Sequence, residues 1–93
     1  MSREKLAERF GENLKHYRKK AGLSQEELAS MTEVHRTQVS QLERAKHLPR
    51  LDTFVKLVGA LGIPPEDLLE GLAFEPSVRQ RGKFKISESE GEE

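Results

Sequence analysis

The chain has 93 residues, of which 34% are hydrophobic and 34% charged, and its formal net charge is zero. A chain of this length forms one small domain and removes only about 60–65% of its unfolded surface from water, which argues against a sheet-rich enzyme with a deep pocket. The absence of Cys excludes disulfide bonds and thiolate metal sites and favours a reducing, cytoplasmic location. The longest apolar run, residues 57–63, is far shorter than the ~20 residues of a membrane span, and the amino terminus lacks the pattern of a secretory signal, so no membrane partner is expected.

Hydrophobic spacing predicts two helices in the first third of the chain. Apolar residues recur at steps of three and four between residues 6 and 21, which predicts a first helix with one apolar stripe. Gly22 tolerates a positive φ and is expected to end this helix. Ser24 and Glu27 have the spacing of a capping box, in which each side chain binds the backbone N–H of the other residue. The second helix is therefore expected to begin at this pair and to end near residues 32–33.

Three further helices are predicted at residues 35–44, 51–61 and 64–70. In the third helix Val39 and Leu42 are expected to point inwards, and Pro49 favours a loop before the fourth helix because it biases the preceding residue away from helical angles. The apolar residues of the fourth helix are expected to lie in the core: Leu51, Phe54, Val55, Leu57, Val58 and Leu61. The fifth helix begins with prolines and acidic residues, which suit a helix N-terminus, and Gly71 is expected to close it.

The composition changes towards the carboxyl end of the chain. Residues 79–86 are basic and alternating, whereas residues 87–93 are acidic and contain no apolar side chain, so these last seven residues are expected to be disordered. The sequence thus predicts a domain at residues 1–72 and a flexible tail at residues 73–93. Three interpretations of the basic stretch stay open: an arm that adds DNA affinity, a strand used in a dimer contact, or a linker.

Residues 23–44 contain the pattern that indicates a function. A capped short helix, a tight turn and a second short helix with a polar outer face have the spacing of a helix-turn-helix. A helix fits the major groove of DNA in diameter, but a second helix braced across the phosphates must hold it there. The charge distribution agrees with such a role, since residues 1–50 carry 11 basic and 7 acidic side chains, whereas residues 51–93 carry 5 and 9.

Three sequence blocks, in the right order and spacing, resemble the lambdoid phage repressor and Cro type (Xre-like) of helix-turn-helix family. They are residues 23–29, residues 39–44 and residues 57–64. Residues 34–37 look like the start of the recognition helix in many small single-domain members, including the controller proteins of restriction systems. The resemblance covers residues 10–69. It implies an all-α, five-helix repressor-like fold and a transcriptional regulator that binds double-stranded DNA.

The resemblance also implies roles for residues in and around the third helix. Arg36, Thr37 and Gln41 match positions that typically read base edges, and their chemistry suits guanine, thymine and adenine respectively. Gln25 matches a residue that clamps a phosphate and braces the recognition helix. Arg50 lies where some members send a basic residue towards the minor groove. The surrounding residues are expected to contact mostly phosphates: His35, Gln38, Ser40, Arg44 and Lys46.

Arg18 and Glu43 match a pair that forms a partly buried salt bridge between the first and third helices in several members. Independently of the resemblance, a Glu on the inward side of a helix requires some cation as a partner, because a buried charge left unpaired costs several kcal/mol. The sequence departs from the family pattern at three positions. Glu33 replaces a glycine in the turn between the second and third helices, and Ala45 replaces one after the third helix, which raises the question of backbone strain. His35 replaces a Ser, Thr or Asp cap and weakens the expected capping of that helix.

A homodimer is expected on the ground of contact area. One such module buries only on the order of 600–1,000 Å² on DNA, and two modules on a palindromic operator would double that contact. The apolar residues of the fifth helix and its exit are the expected dimer surface: Leu68, Leu69, Leu72 and Phe74.

Other function classes find little support in the sequence. His16, His35 and His47 lack the spacing of a zinc site, and neither a catalytic constellation nor a glycine-rich phosphate loop occurs, so no metal, no cofactor and no enzyme activity are expected. One rival interpretation is a module that uses the same helices to hold a protein, such as an antitoxin-like partner. A more distant one is a regulator that responds to a small molecule, although no second folded domain is predicted to hold an effector.

Overall fold

The computed structural model describes residues 1–76, which form five helices and no strand. In chain order the helices are α1 (Arg3–Lys20), α2 (Gln25–Thr32), α3 (Arg36–Glu43), α4 (Leu51–Leu61) and α5 (Pro65–Leu68). The predicted all-α, five-helix fold is therefore confirmed. The predictions made for residues 79–86 and 87–93 lie outside the described residues.

Capping interactions fix the ends of the helices. The Ser24 hydroxyl accepts a hydrogen bond from the Glu27 amide at 3.0 Å, and the Glu27 carboxylate accepts one from the Ser24 amide at 2.8 Å, which completes the predicted capping box of α2. Gly62 ends α4 in the left-handed conformation, with φ at 65°. The fifth helix is shorter than predicted. The Asn13 side-chain amide donates to the carbonyls of Leu68 and Glu70 at 2.9 and 2.8 Å, and these bonds replace further helical turns.

The core forms where α1, α2 and α3 pack together, with α4 against α2 and α5 against α1. Its buried apolar side chains come from all five helices: Phe10, Leu14, Leu28, Ala29, Val39, Leu42, Leu57, Leu61 and Leu68. The inward orientation predicted for the two apolar residues of α3 is thereby confirmed.

Two predictions about burial are wrong. Leu68, expected at an exposed dimer surface, is 0% exposed and belongs to the core. Conversely, the α4 residues Leu51 and Val55, expected in the core, are 77% and 60% exposed. Buried Thr53 and Leu57 define the inward side of α4, and a displacement of two residues turns a side chain by about 200° around a helix. Because apolar residues surround most of α4, its hydrophobic pattern alone does not select the buried side.

Gly11 sets how closely α1 approaches the end of α3. A Cβ atom at this residue would lie 2.6 Å from the Leu42 carbonyl oxygen and 2.8 Å from the Glu43 carbonyl oxygen, both of which belong to the backbone. Real Cβ atoms do not come so near, so a side chain here would push the two helices apart. The α1–α3 contact therefore requires glycine for space.

Gly11→Ala is expected to lower the free energy of unfolding by about 1–3 kcal/mol, because the added methyl group overpacks the α1–α3 contact. Gly59→Ala is the matched control, since Gly59 is also helical and a Cβ there meets nothing within 4 Å. The control should raise the free energy of unfolding by roughly 0.5–1 kcal/mol through helix propensity. Urea unfolding of both variants measures the difference, and equal effects at the two sites would contradict the packing argument.

Candidate nucleic-acid interface

α3 has one buried side and one side that faces solvent. Val39 and Leu42 are fully buried, and the side chains on the opposite side carry the predicted recognition residues. Of the candidate residues on and around α3, those that are exposed are His35, Arg36, Thr37, Arg44, Lys46 and Arg50. Those that are half-buried are Gln38, Ser40 and Gln41. The helix therefore presents cationic and amide side chains on a surface that leaves room for a partner.

A buried ion pair holds the carboxyl end of α3 against α1. The Arg18 Nε donates to Glu43 Oε2 at 2.6 Å and its Nη2 donates to Glu43 Oε1 at 3.0 Å, so the pair is bidentate. The side chains of Arg18 and Glu43 are only 9% and 3% exposed. The hydrogen bonds that Arg18 donates to Glu43 raise the pKa of Arg18 above its ordinary value, although burial acts in the opposite direction. Arg18 also donates to the Leu23 carbonyl at 2.8 Å and so fixes the chain just before α2.

The Gln25 side chain connects α2 to the same ion pair. Its Nε2 donates a hydrogen bond to Glu43 Oε1 at 3.0 Å, across 18 residues of sequence. An amide nitrogen has two N–H groups, so one of them is left for another acceptor. The structure thus shows Gln25 bracing α3, whereas its contact with a phosphate stays a prediction.

The turns before and after α3 each contain a residue with an unusual backbone conformation. Glu33 and Ala45 adopt positive φ values of 60° and 63°, the region in which the family pattern has glycine. For a residue with a Cβ this conformation costs roughly 1–2 kcal/mol. At the start of the helix, His35 makes no capping hydrogen bond with its side chain to any part of the described chain. The turn geometry is therefore kept without the residues that favour it locally.

The loop after α3 brings in a residue that the sequence interpretation did not assign to the interface. The His47 Nε2 lies 3.3 Å from Gln41 Oε1. From the sequence, His47 was a candidate only for a metal site, because a residue six positions after Gln41 and beyond the end of the helix belongs to no helical pattern. Arg50, the predicted minor-groove residue, pairs with Asp52 at 3.5 Å in an exposed contact.

The described residues also bear on two other functions, metal binding and membrane insertion. Within residues 1–76 no three His, Asp or Glu side chains come together as a metal site would need. No helix in the same part of the chain is long and apolar enough to cross a membrane.

Comparison with known proteins assigns the family. The helix-turn-helix family model HTH_3 matches residues 14–68, more than half of the chain. The chain belongs to this helix-turn-helix family. Its members are transcriptional regulators that bind DNA and are not enzymes, so the resemblance found in three sequence blocks is confirmed at the level of family and function class.

The relatives include control proteins of restriction systems. The chain is 40% identical over 62 residues to control protein C.BamHI of Bacillus amyloliquefaciens, an alignment that covers 66% of this chain and 76% of that protein. It is 36% identical over 64 residues to control protein C.SmaI of Serratia marcescens, covering 69% and 76%. Among solved structures, the restriction-modification controller protein C.AhdI from Aeromonas hydrophila superposes with a TM-score of 0.65 at 37% identity, covering 67% of this chain and 94% of that one.

Glu43→Ala is expected to lower the free energy of unfolding by about 3–5 kcal/mol, because it leaves Arg18 buried without its partner. Glu12→Ala is the control, since the Arg9–Glu12 pair is exposed and its ends are 3.7 Å apart. An exposed pair of this kind contributes at most about 1 kcal/mol. Thermal and urea unfolding measure both variants. A Glu43→Ala melting temperature within a degree or two of the wild-type value would refute the structural role of the ion pair.

Proposed function

We propose that this protein is a sequence-specific DNA-binding regulator of transcription that acts as a homodimer on a palindromic operator, with α3 in the major groove. One observation carries the proposal. The outward side of α3 carries exposed Arg36 and Thr37 and half-buried Gln41, while a buried ion pair holds its inward side against α1. Such a regulator acts in the compartment that contains its DNA, which we expect to be the cytoplasm.

The residues divide into two roles by chemistry. Arg36 suits bidentate pairing with guanine, Gln41 offers an amide for a base edge, and the Thr37 methyl group suits thymine. The surrounding side chains, His35, Gln38, Ser40, Arg44 and Lys46, would mostly hold phosphates, which set the orientation of the protein but do not read the sequence. The free N–H of Gln25 suits a phosphate beside the start of α2. Arg50 would reach a phosphate or the minor groove only by leaving Asp52.

The proposed dimer surface is an apolar patch made of residues at the start of α4 and after α5. We define this patch as Leu51, Val55, Leu69, Leu72 and Phe74, of which all but half-buried Leu72 are exposed. It replaces the surface predicted from sequence, because Leu68 is in the core. A shallow groove of about 320 Å³ is lined by patch residues from both parts, namely Leu51, Leu69 and Leu72.

Selection of bound sites from a random pool of duplexes tests the proposal. We expect a palindromic consensus with half-sites separated by about one helical turn, roughly 34–36 Å, as a two-fold dimer of recognition helices requires. Gel shifts of the selected duplex across a range of salt concentrations then separate specific from nonspecific binding. Failure to enrich any sequence, together with unsaturable shifts, would overturn the proposal and favour a module that binds protein.

Arg36→Ala is expected to weaken binding of the selected operator by about 1–3 kcal/mol and to relax the preference at one base pair. Lys46→Ala should instead weaken binding to all duplexes alike and reduce the slope of the salt dependence by about one unit, because it removes a phosphate contact. Both residues are exposed, so both variants should fold. Titrations of the operator and its single-base variants measure the difference. A uniform loss on Arg36→Ala would rule out base reading by this residue.

Leu69→Glu is expected to shift the protein from dimer to monomer, because it places a charge in the apolar patch. Met31→Glu is the matched control, since Met31 is also an exposed apolar residue but lies on α2, outside the patch. Sedimentation velocity at several protein concentrations measures the change in mass. A wild-type protein that is monomeric in the presence of operator, or an unchanged dimer in Leu69→Glu, would contradict this surface.

A further inference from the structure

His47 faces two oxygen atoms with its two ring nitrogens. Its Nδ1 lies 3.2 Å from the Leu48 carbonyl oxygen, and its Nε2 lies 3.3 Å from Gln41 Oε1. Both oxygens accept hydrogen bonds, so each contact needs an N–H on the imidazole. A neutral imidazole has one N–H and the imidazolium has two, so the observed arrangement is fully hydrogen-bonded only when His47 is protonated.

Loss of that proton has a definite consequence for Gln41. The backbone carbonyl of Leu48 always accepts, so the remaining proton stays on Nδ1 and Nε2 becomes an acceptor. The contact between His47 and Gln41 then persists only if the Gln41 amide turns by about 180° about its terminal bond, so that its NH2 group donates to Nε2. When His47 is protonated, the NH2 group of Gln41 therefore points away from it. When His47 is neutral, Oε1 points away from it instead.

We propose that His47 is a positioning residue that sets which end of the Gln41 amide faces the DNA, and through it the base that Gln41 prefers. This inference rests on the proposed function, in which Gln41 reads a base edge. With His47 protonated, the NH2 group faces outwards and donates to an acceptor such as guanine O6 or thymine O4. With His47 neutral, Oε1 faces outwards and accepts from adenine N6 or cytosine N4.

The surroundings of His47 allow it to exchange protons with solvent. His47 is exposed and lines an open hollow of about 250 Å³ between the start of α1 and the loop after α3. The charged side chains that share this hollow are Arg3 and Glu4 from α1 and Lys46 from the loop. Solvent therefore reaches the imidazole, and pH is the variable by which the two hydrogen-bonding arrangements are compared.

The test compares base preference at two pH values. The selected operator is first scanned with Gln41→Ala, and the base pair whose preference disappears is the one that Gln41 reads. Relative dissociation constants for the four base pairs at that position are then measured at pH 6 and pH 8, at constant ionic strength. Because each comparison is a ratio on the same protein at the same pH, changes in overall phosphate affinity cancel.

For the wild-type protein we compare duplexes that place guanine or thymine on the strand that Gln41 contacts with duplexes that place adenine or cytosine there. We expect the ratio of their affinities to fall by about three- to tenfold from pH 6 to pH 8, the magnitude of one hydrogen bond. His47→Ala should bind with a ratio that does not depend on pH. His16→Ala is the matched control, since His16 is also exposed but lies on α1 beside Tyr17, and it should keep the wild-type pH dependence. In the Gln41→Ala background, His47→Ala should leave the ratio unchanged.

The outcomes separate the two proposals. A wild-type protein without any sequence preference defeats the proposed function itself. If binding is sequence-specific, three results would overturn the role of His47 and leave the proposed function intact. They are an affinity ratio that is the same at both pH values, a wild-type pH dependence in His47→Ala, and a Gln41→Ala variant that relaxes no base pair. Thermal melting of His47→Ala, expected to match the wild type because the residue is exposed, shows that a changed ratio does not come from a changed fold.

Discussion

The buried pair of Arg18 and Glu43 is the interaction on which the geometry of the interface depends. It joins α1 to the end of α3, and Gln25 adds α2 to the same carboxylate. A buried charge that loses its partner costs several kcal/mol, so intermediate positions of α3, in which the carboxylate is desolvated and unpaired, are strongly disfavoured. The pair therefore contributes to orientation more than to net stability, because two well-packed apolar residues would stabilise a core equally well.

α1 positions both the recognition helix α3 and the short helix α5. Gly11 permits its close contact with α3, while Asn13 two residues later holds the carbonyls that end α5. One rigid helix thus fixes the recognition side and, through α5, the residues that lead into the apolar patch. If two copies meet through that patch, the separation between their recognition helices follows from the structure of a single chain. A palindrome with fixed half-site spacing is the DNA partner that such a rigid arrangement fits.

The sequence predicted the features that depend on near neighbours and missed those that depend on distant ones. The capping box of Ser24 and Glu27 spans three residues, so it was visible and correct. Leu68 was misplaced because a helix of four residues has no periodicity from which to choose a buried side. Gly11 and Asn13 were not singled out, since their partners lie more than thirty and more than fifty residues away. The ion pair of the site was expected only because a buried carboxylate demands a cation and the family resemblance supplied a candidate.

α3 is maintained by its contacts with the rest of the domain more than by its own sequence. Glu33 and Ala45 adopt strained left-handed conformations in the turns before and after it, and His35 provides no side-chain cap. Burial of Val39 and Leu42 compensates for these local costs from one side of the helix, and the ion pair fixes the orientation of that side. The outward residues take no part in that compensation. Substitutions on the outer side can therefore alter which DNA sequence is bound without loss of the fold, so that specificity and stability are encoded on opposite sides of one short helix.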